Sequence, residues 1–186
     1  MTTQLQLKRF FRTCCSLPLL VAVFRNSAAT AAMLFIVLLT SCETRTPRLD
    51  QRQIAAIQDS VRQMAANVER DVTFEGTKAW LRYFDHSPHF YMASEGALVF
   101  PNIDSAAIFV DSFSRQIRSL QLQWSDIGVD PLSLDLAGMK ARFHEIVTDT
   151  SGHQISQDGY CTALVELKST GWQFRNLHWS AVSKER

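Results

Sequence analysis

Gly171-Trp172-Gln173-Phe174-Arg175-Asn176-Leu177-His178-Trp179-Ser180 is the stretch that decides the fold. Trp172, Phe174, Asn176, His178 and Ser180 alternate with Gln173, Arg175, Leu177 and Trp179, a period of two that belongs to a strand. Ser169-Thr170-Gly171 reads as a tight turn, so the strand before it is expected to be an antiparallel neighbour. That neighbour is the run Cys161, Ala163, Val165, Leu167, which follows a second turn signal at Asp158-Gly159. Further upstream, Met139, Ala141, Phe143, Glu145 and Val147 alternate with Lys140, Arg142 and His144, and Leu132, Leu134 and Leu136 alternate with polar neighbours. The charged set Arg142, His144 and Glu145 reads as a solvated strand face. The expectation is a meander of about four long antiparallel strands.

The residues before the meander carry the helical period. Ile54, Ile57, Val61, Met64 and Val68 step by three and four, which predicts an amphipathic helix over about 50–68. Residues 73–84 read as a shorter second helix, with Trp80 and Phe84 one turn apart, Asp71 as its cap and Gly76 as a weak point. Residues 89–93 and 97–100 are short strands around the turn Ser94-Glu95-Gly96. Pro101-Asn102-Ile103-Asp104 starts a third helix, with a stripe of Phe109, Phe113, Ile117 and Leu120 assigned to the core. Three helices and a curved antiparallel sheet make an α+β fold.

This order, with the helix end Tyr83-Phe84-Asp85, the segment Asp158-Gly159-Tyr160 and a Gly171-Trp172 strand closing in His178-Trp179-Ser180, resembles the nuclear transport factor 2-like superfamily, in particular its SnoaL-like, ketosteroid isomerase-like branch. The resemblance spans about residues 50–182. It implies a cone-shaped, cystatin-like sheet curled around a pocket that the three helices close. Implied lining groups are Trp80, Tyr83, Asp85, Tyr91, Trp124, Asn176 and His178. Such a fold hosts isomerases, cyclases, dehydratases and non-catalytic binding domains alike, so the resemblance alone does not choose among them.

Isomerases of that branch need a carboxylate base over an apolar pocket. The segment where that base is expected, His89-Phe90-Tyr91-Met92-Ala93, contains no Asp or Glu. Asp85 and His178 are the remaining candidates for acid–base work, with Asp85 more naturally ordering the end of its helix. His86 and His89 beside Asp85 could suggest a metal, but a site wants at least three ligands in fixed geometry and Pro88 points to a loop, so no metal is expected. Neither a phosphate loop, a dinucleotide fingerprint nor a CxxC pair is present, and no cofactor is expected.

The first forty residues bear on location. Lys8, Arg9 and Arg12 precede two apolar runs, 17–24 and 28–39, split by Arg25-Asn26. The second run is too short for a membrane span and suits a signal sequence. It ends in Leu39-Thr40-Ser41-Cys42, which resembles the bacterial lipoprotein signal peptide. Residues 1–41 are then a leader, Cys42 is the lipidated first residue, 42–49 form a tether and 50–186 the domain. Glu43 after the cysteine points to the outer membrane of the cell envelope, facing the periplasm. Four of the 19 Lys and Arg residues lie in the leader and none of the 18 Asp and Glu do, so the mature chain is mildly acidic and a nucleic-acid partner is not expected. Cys161 would be the remaining free thiol, read as a core residue.

Three functions compete. A lipid-anchored binding domain, for an apolar small molecule or a protein, is the leading one. An enzyme of the SnoaL-like kind using Asp85 and His178 predicts a deep pocket holding an ionisable pair. An assembly role, as a homodimer, predicts exposed Leu177 and Trp179. The anchor itself is testable: Cys42→Ser should leave an unprocessed precursor and abolish labelling by a fatty-acid analogue, and unchanged labelling would sink the lipoprotein reading.

Overall fold

The computed structural model describes residues 48–184. The leader, Cys42 and all but the last two residues of the tether lie outside the described residues. Among the described residues no helix is long and apolar enough to cross a membrane.

Helix α1 (Gln51–Glu75) begins at Asp50, whose carboxylate accepts the Gln53 N–H at 2.8 Å while the Gln53 side chain accepts the Asp50 N–H at 2.9 Å. This reciprocal pair satisfies two of the helix's unpaired donors. The helix runs past the expected end at 68 because Val72 continues the buried stripe of Ile57, Val61, Met64 and Val68. Gly76, at φ 90°, stops it, and its N–H closes on the Val72 carbonyl. The second helix expected over 73–84 is therefore a single 3₁₀ helix, Thr77–Arg82. Asp71 lies inside α1 and is not a cap.

Strands β1 (Tyr91–Ser94) and β2 (Ala97–Phe100) form a hairpin. Its two turn residues, Glu95 and Gly96, both have positive φ, as a tight two-residue turn between twisted strands requires. Helix α2 (Ile103–Gln116) has its own capping box from Asn102 and Ser105. The chain becomes extended at Ile117, so the apolar stripe expected to run to Leu120 divides: Phe109 and Phe113 stay on α2, and Leu120 belongs to β3 (Ile117–Pro131). Strands β4 (Leu136–Asp149), β5 (Gln154–Lys168) and β6 (Gly171–Lys184) complete one sheet in the order β2-β1-β6-β5-β4-β3. All neighbours are antiparallel except β1 and β6, which are parallel, so the sheet is mixed. The fold is α+β, as expected, with a curved sheet and one long N-terminal helix, the second of the three expected helices being the short 3₁₀ helix.

Side chains of α1 run along the free edge of β3. The Glu69 carboxylate accepts the Trp124 N–H at 2.8 Å, Thr73 Oγ1 accepts the Leu122 N–H at 3.1 Å, and the Gln58 amide donates to the Val129 carbonyl at 3.2 Å. An edge that would otherwise pair with another chain is covered in this way.

Two sequence expectations about the strands are corrected. Leu132 and Leu134 are exposed, in the turn between β3 and β4. Gly159 does not mark a turn: it is inside β5, opposite Phe143, and the turn before β5 is built around Gly152 at φ 93°. Gly159 is required there by space. A Cβ on it would stand 2.0 Å from the Ser180 carbonyl oxygen and 2.6 Å from Cζ of Phe143. Gly159→Ala should therefore destabilise the domain by about 1–3 kcal/mol, the usual cost of overpacking. At Gly138 the nearest atoms to an added Cβ are 3.9 Å away. Gly138→Ala serves as the control, and equal denaturant midpoints for the two variants would contradict the packing described.

Candidate ligand-binding cavity

The inward face of the sheet follows from register. On β4, Ala137, Met139, Ala141, Phe143 and Glu145 are all buried. On β6 the alternation is broken once. Phe174 pairs with Val165 and Asn176 with Leu164, leaving Arg175 as an extra residue, a β-bulge. Trp172 and Phe174 face inward before the bulge and Leu177 and Trp179 after it, and all four are buried. Without the bulge, Asn176 and His178 would occupy those inward positions.

Between this face, the 3₁₀ helix, the hairpin and α2 lies a cavity of about 460 Å³. Trp80, Phe84, Phe100, Phe109, Phe113 and Trp179 supply aromatic wall, and Met92, Val110, Leu120 and Leu177 supply aliphatic wall. Trp179 organises one side. It stacks on Phe143 with centroids 4.0 Å apart and meets Trp124 at 5.5 Å and Trp80 at 6.0 Å edge to face. Phe109, half-exposed on α2, lies between Phe100 and Phe113.

The polar contribution is small and specific. Glu145 is 7% exposed and is the one ionisable side chain among the lining residues. Its described side-chain partner is Gln157, opposite it on β5, whose amide donates to Oε2. Burial pushes the Glu145 carboxyl up from the ordinary glutamate range, and the Gln157 hydrogen bond offsets this only in part. Thr77 also lines the cavity, and its buried Oγ1 has no hydrogen-bond partner among the described residues.

The residues singled out in the sequence are distributed differently from the expectation. Trp80 lines the cavity. Trp124 is buried against Trp179 and Phe143, behind the lining. Tyr83 points the other way and donates to Asp71 at 2.6 Å. Tyr91, Asn176 and His178 share a shallow depression on the outer face, where the β6 bulge puts them, and His178 is exposed. Asp85 is 3% exposed but is turned to the loop that follows it. Its oxygens accept the Ser87 N–H at 3.0 Å and hydroxyl at 2.5 Å, with Lys168 Nζ at 3.5 Å. Burial acts to raise Asp85, but the Ser87 bonds and Lys168 outweigh it and hold the carboxyl below the usual range. Asp85 and His178 are therefore not brought together in the cavity. Glu145, read in the sequence as solvated, is the carboxyl that is. Its signal was its place in the row Ala141, Phe143, Glu145, Val147, where it shares parity with the apolar residues and not with Arg142 and His144. Those two face outward, His144 beside Asp158 at 2.8 Å and Arg142 over the Tyr160 ring at 5.6 Å.

Among the described residues no group of three or more His, Cys, Asp or Glu side chains could hold a metal. His86 Nε2 is instead 3.0 Å from the Leu81 carbonyl. Cys161 is buried in the sheet, and burial pushes its thiol up to about 12, away from the thiolate a nucleophile needs.

No protein-family profile and no curated protein matches the sequence. Solved structures do match the fold. A nuclear transport factor 2-like superfamily protein from Salmonella enterica serovar Typhimurium superposes with a TM-score of 0.59 at 11% identity, over 70% of this chain and 94% of that one. A putative scytalone dehydratase from Novosphingobium aromaticivorans gives 0.62 at 11% identity, over 71% and 89%. A type 2 hexachlorocyclohexane dehydrochlorinase gives 0.59 at 9% identity, over 73% and 92%. The chain thus has the nuclear transport factor 2-like fold.

Beneath the cavity, Asp71 collects Tyr83, Arg70 and Arg82, the last two at 2.8 Å. The Tyr83 hydroxyl first, then the two guanidinium groups, lower the Asp71 carboxyl to about 2 against the opposing effect of burial. A carboxyl depressed in the folded state stabilises the fold above its unfolded value near 4 and loses that contribution as pH falls through its folded value. Asp71→Asn should therefore melt below the wild type at neutral pH, with the gap closing between about pH 4 and pH 2. A gap independent of pH over that window would show that the carboxylate charge is not what stabilises.

Proposed function

We propose that this domain binds an apolar small molecule in the cavity and is held at the bacterial cell envelope by a lipid on Cys42, at the outer membrane facing the periplasm. The observation that carries the binding reading is an aromatic cavity with a single ionisable side chain, Glu145, on its wall. Its volume lies within the range of small-molecule sites, and one polar anchor in an apolar wall is how such sites fix orientation. Acid–base turnover asks for more than one group: something takes a proton and something else stabilises the charge that develops. Asp85 and His178 do not supply the second group, since neither lines the cavity. An assembly role through exposed Leu177 and Trp179 has no support, because both are buried.

Turnover by a SnoaL-like isomerase, cyclase or dehydratase is the second reading, and one observation favours it. A buried carboxyl with raised proton affinity is suited to accept and return a proton within one substrate. In that case Glu145, and not Asp85, would be the base. Similar structures carry dehydratase and dehydrochlorinase names, which describe those proteins.

Calorimetric titration with naphthylmethanol, a neutral bicyclic probe, tests the binding reading. Saturable binding is expected, weakened about tenfold or more by Ser94→Phe, which fills the cavity from β1. Absence of binding, or binding indifferent to Ser94→Phe in a variant of unchanged melting temperature, would contradict it.

A further inference from the structure

The cavity's polar atoms are out of balance. Gln157 uses its amide on Glu145 Oε2, and among the described residues no Lys, Arg or His contributes to the electrostatics of Glu145. The other two buried carboxylates each have a cation as well as donors: Asp71 has two guanidinium groups and a phenol, and Asp85 has Ser87 and Lys168. A carboxyl taken out of water without such a partner is costly when charged. The second uncompensated group lining the cavity is Thr77 Oγ1 on the 3₁₀ helix, buried and without a hydrogen-bond partner among the described residues. A carboxyl and a hydroxyl together present more lone pairs than protons. What complements them is a group that only donates.

The walls favour the same kind of group. Six aromatic side chains line the cavity, and ring faces attract a cation, more strongly when water is excluded. A buried acid among aromatic faces and without an internal cation is half of an ion pair.

We infer that the cavity takes an apolar amine, its ammonium group paired with Glu145 and its hydrocarbon body against the rings of Trp80, Phe113 and Trp179. This rests on the cavity being a binding site and names the class of molecule bound. The ammonium supplies the counter-charge that no described side chain provides. An apolar body is required as well, because the rest of the lining offers no partner for a second charged group. A carboxylate or phosphate ligand is disfavoured, since it would place a like charge beside Glu145.

The test compares two molecules of nearly the same shape, naphthylmethylamine and naphthylmethanol, by calorimetry on the purified protein at neutral pH. The amine is expected to bind about tenfold or more tightly than the alcohol, a preference of the size that a charge-assisted contact and ring faces provide. Glu145→Gln should abolish the preference while changing alcohol binding little. Glu145→Met, an apolar replacement of similar volume, gives the same comparison should the amide variant fold poorly. Equal affinity, or a preference for the alcohol, in the wild type would overturn the amine assignment and leave the binding cavity standing. An amine preference that survives both substitutions would also overturn it, because another group would then carry the recognition. If neither molecule binds the wild type, the binding reading itself fails, and the inference with it.

Discussion

The position of β6 in the sheet is the constraint on which the rest depends. It is the one strand that joins the short hairpin to the long meander, pairing with β1 on one side and β5 on the other. Its Phe174 also exchanges backbone hydrogen bonds with the end of the 3₁₀ helix, donating to the Tyr83 carbonyl at 2.7 Å and accepting from the Asp85 N–H at 2.9 Å. The chain pairs with β6 at Phe84, opposite Phe174, and returns to it at Tyr91, opposite Asn176, so seven residues advance the pairing by only two positions. The excess is taken up in a loop that Asp85 holds through Ser87 and that Phe90 plugs from inside, 1% exposed and 4.8 Å from Phe84. The bulge at Arg175 falls at the same level. It turns Leu177 and Trp179 inward where plain alternation would have turned them out, and Trp179 is the ring on which Trp80, Trp124 and Phe143 converge. Each such aromatic contributes a few kcal/mol through burial, so one misplaced residue in this strand would forfeit several contacts at once.

That arrangement explains what was legible in the sequence and what was not. Helix α1 was legible because its stripe and its Asp50 cap are local, and its missed extension to Glu75 reflects a stop signal, Gly76, read as a weakness inside a helix rather than as the end of one. The strands of the meander were legible from period two. Their faces were not, because a bulge leaves no mark in composition: Trp172, Phe174, Asn176 and His178 look like one face until the partner strand shows that Arg175 has no opposite. Asn176 and His178 were consequently assigned to a cavity they do not enter. Glu145 was misread for a different reason. A glutamate between His144 and Ile146 carries a strong prior for water, and only the apolar residues two positions to either side argued otherwise. Gly159 was read by type, as a turn, when the reason for it is the Phe143 ring across the strand.

Charge is sorted in this domain with few exceptions. The outer surface of β5 and β6 carries Glu166 between Lys168 at 2.9 Å and Arg175 at 2.7 Å, and Lys168 reaches on to Asp85. The underside of the 3₁₀ helix carries Arg82 between Asp71 and Glu75. These are chains of alternating sign in which each carboxylate is met by a cation, and the surface pairs among them contribute little individually. Glu145 stands apart because it is buried without a cation beside it among the described residues, the combination that folding alone disfavours. A Gln, Met or Leu in its place would be cheaper for stability.

The cavity wall shows why such a group would be tolerated at this position. Glu145 is held from the rigid part of the molecule, the β4–β5 pair, where Gln157 opposite fixes one oxygen. Facing it are elements of another kind: a hairpin of two four-residue strands, a 3₁₀ helix of a single stretch, and α2, whose Phe109 and Ile108 are half-exposed or more. Elements that bury little apolar surface open at lower free energy than the core strands do. The polar anchor and Trp179 thus sit on the wall built from long paired strands, and the other rings that would enclose an apolar body, Trp80 and Phe113 among them, sit on the more weakly held wall. A ligand entering between α2 and the hairpin would leave undisturbed the row Trp124, Phe143 and Trp179, whose packed rings belong to the long strands.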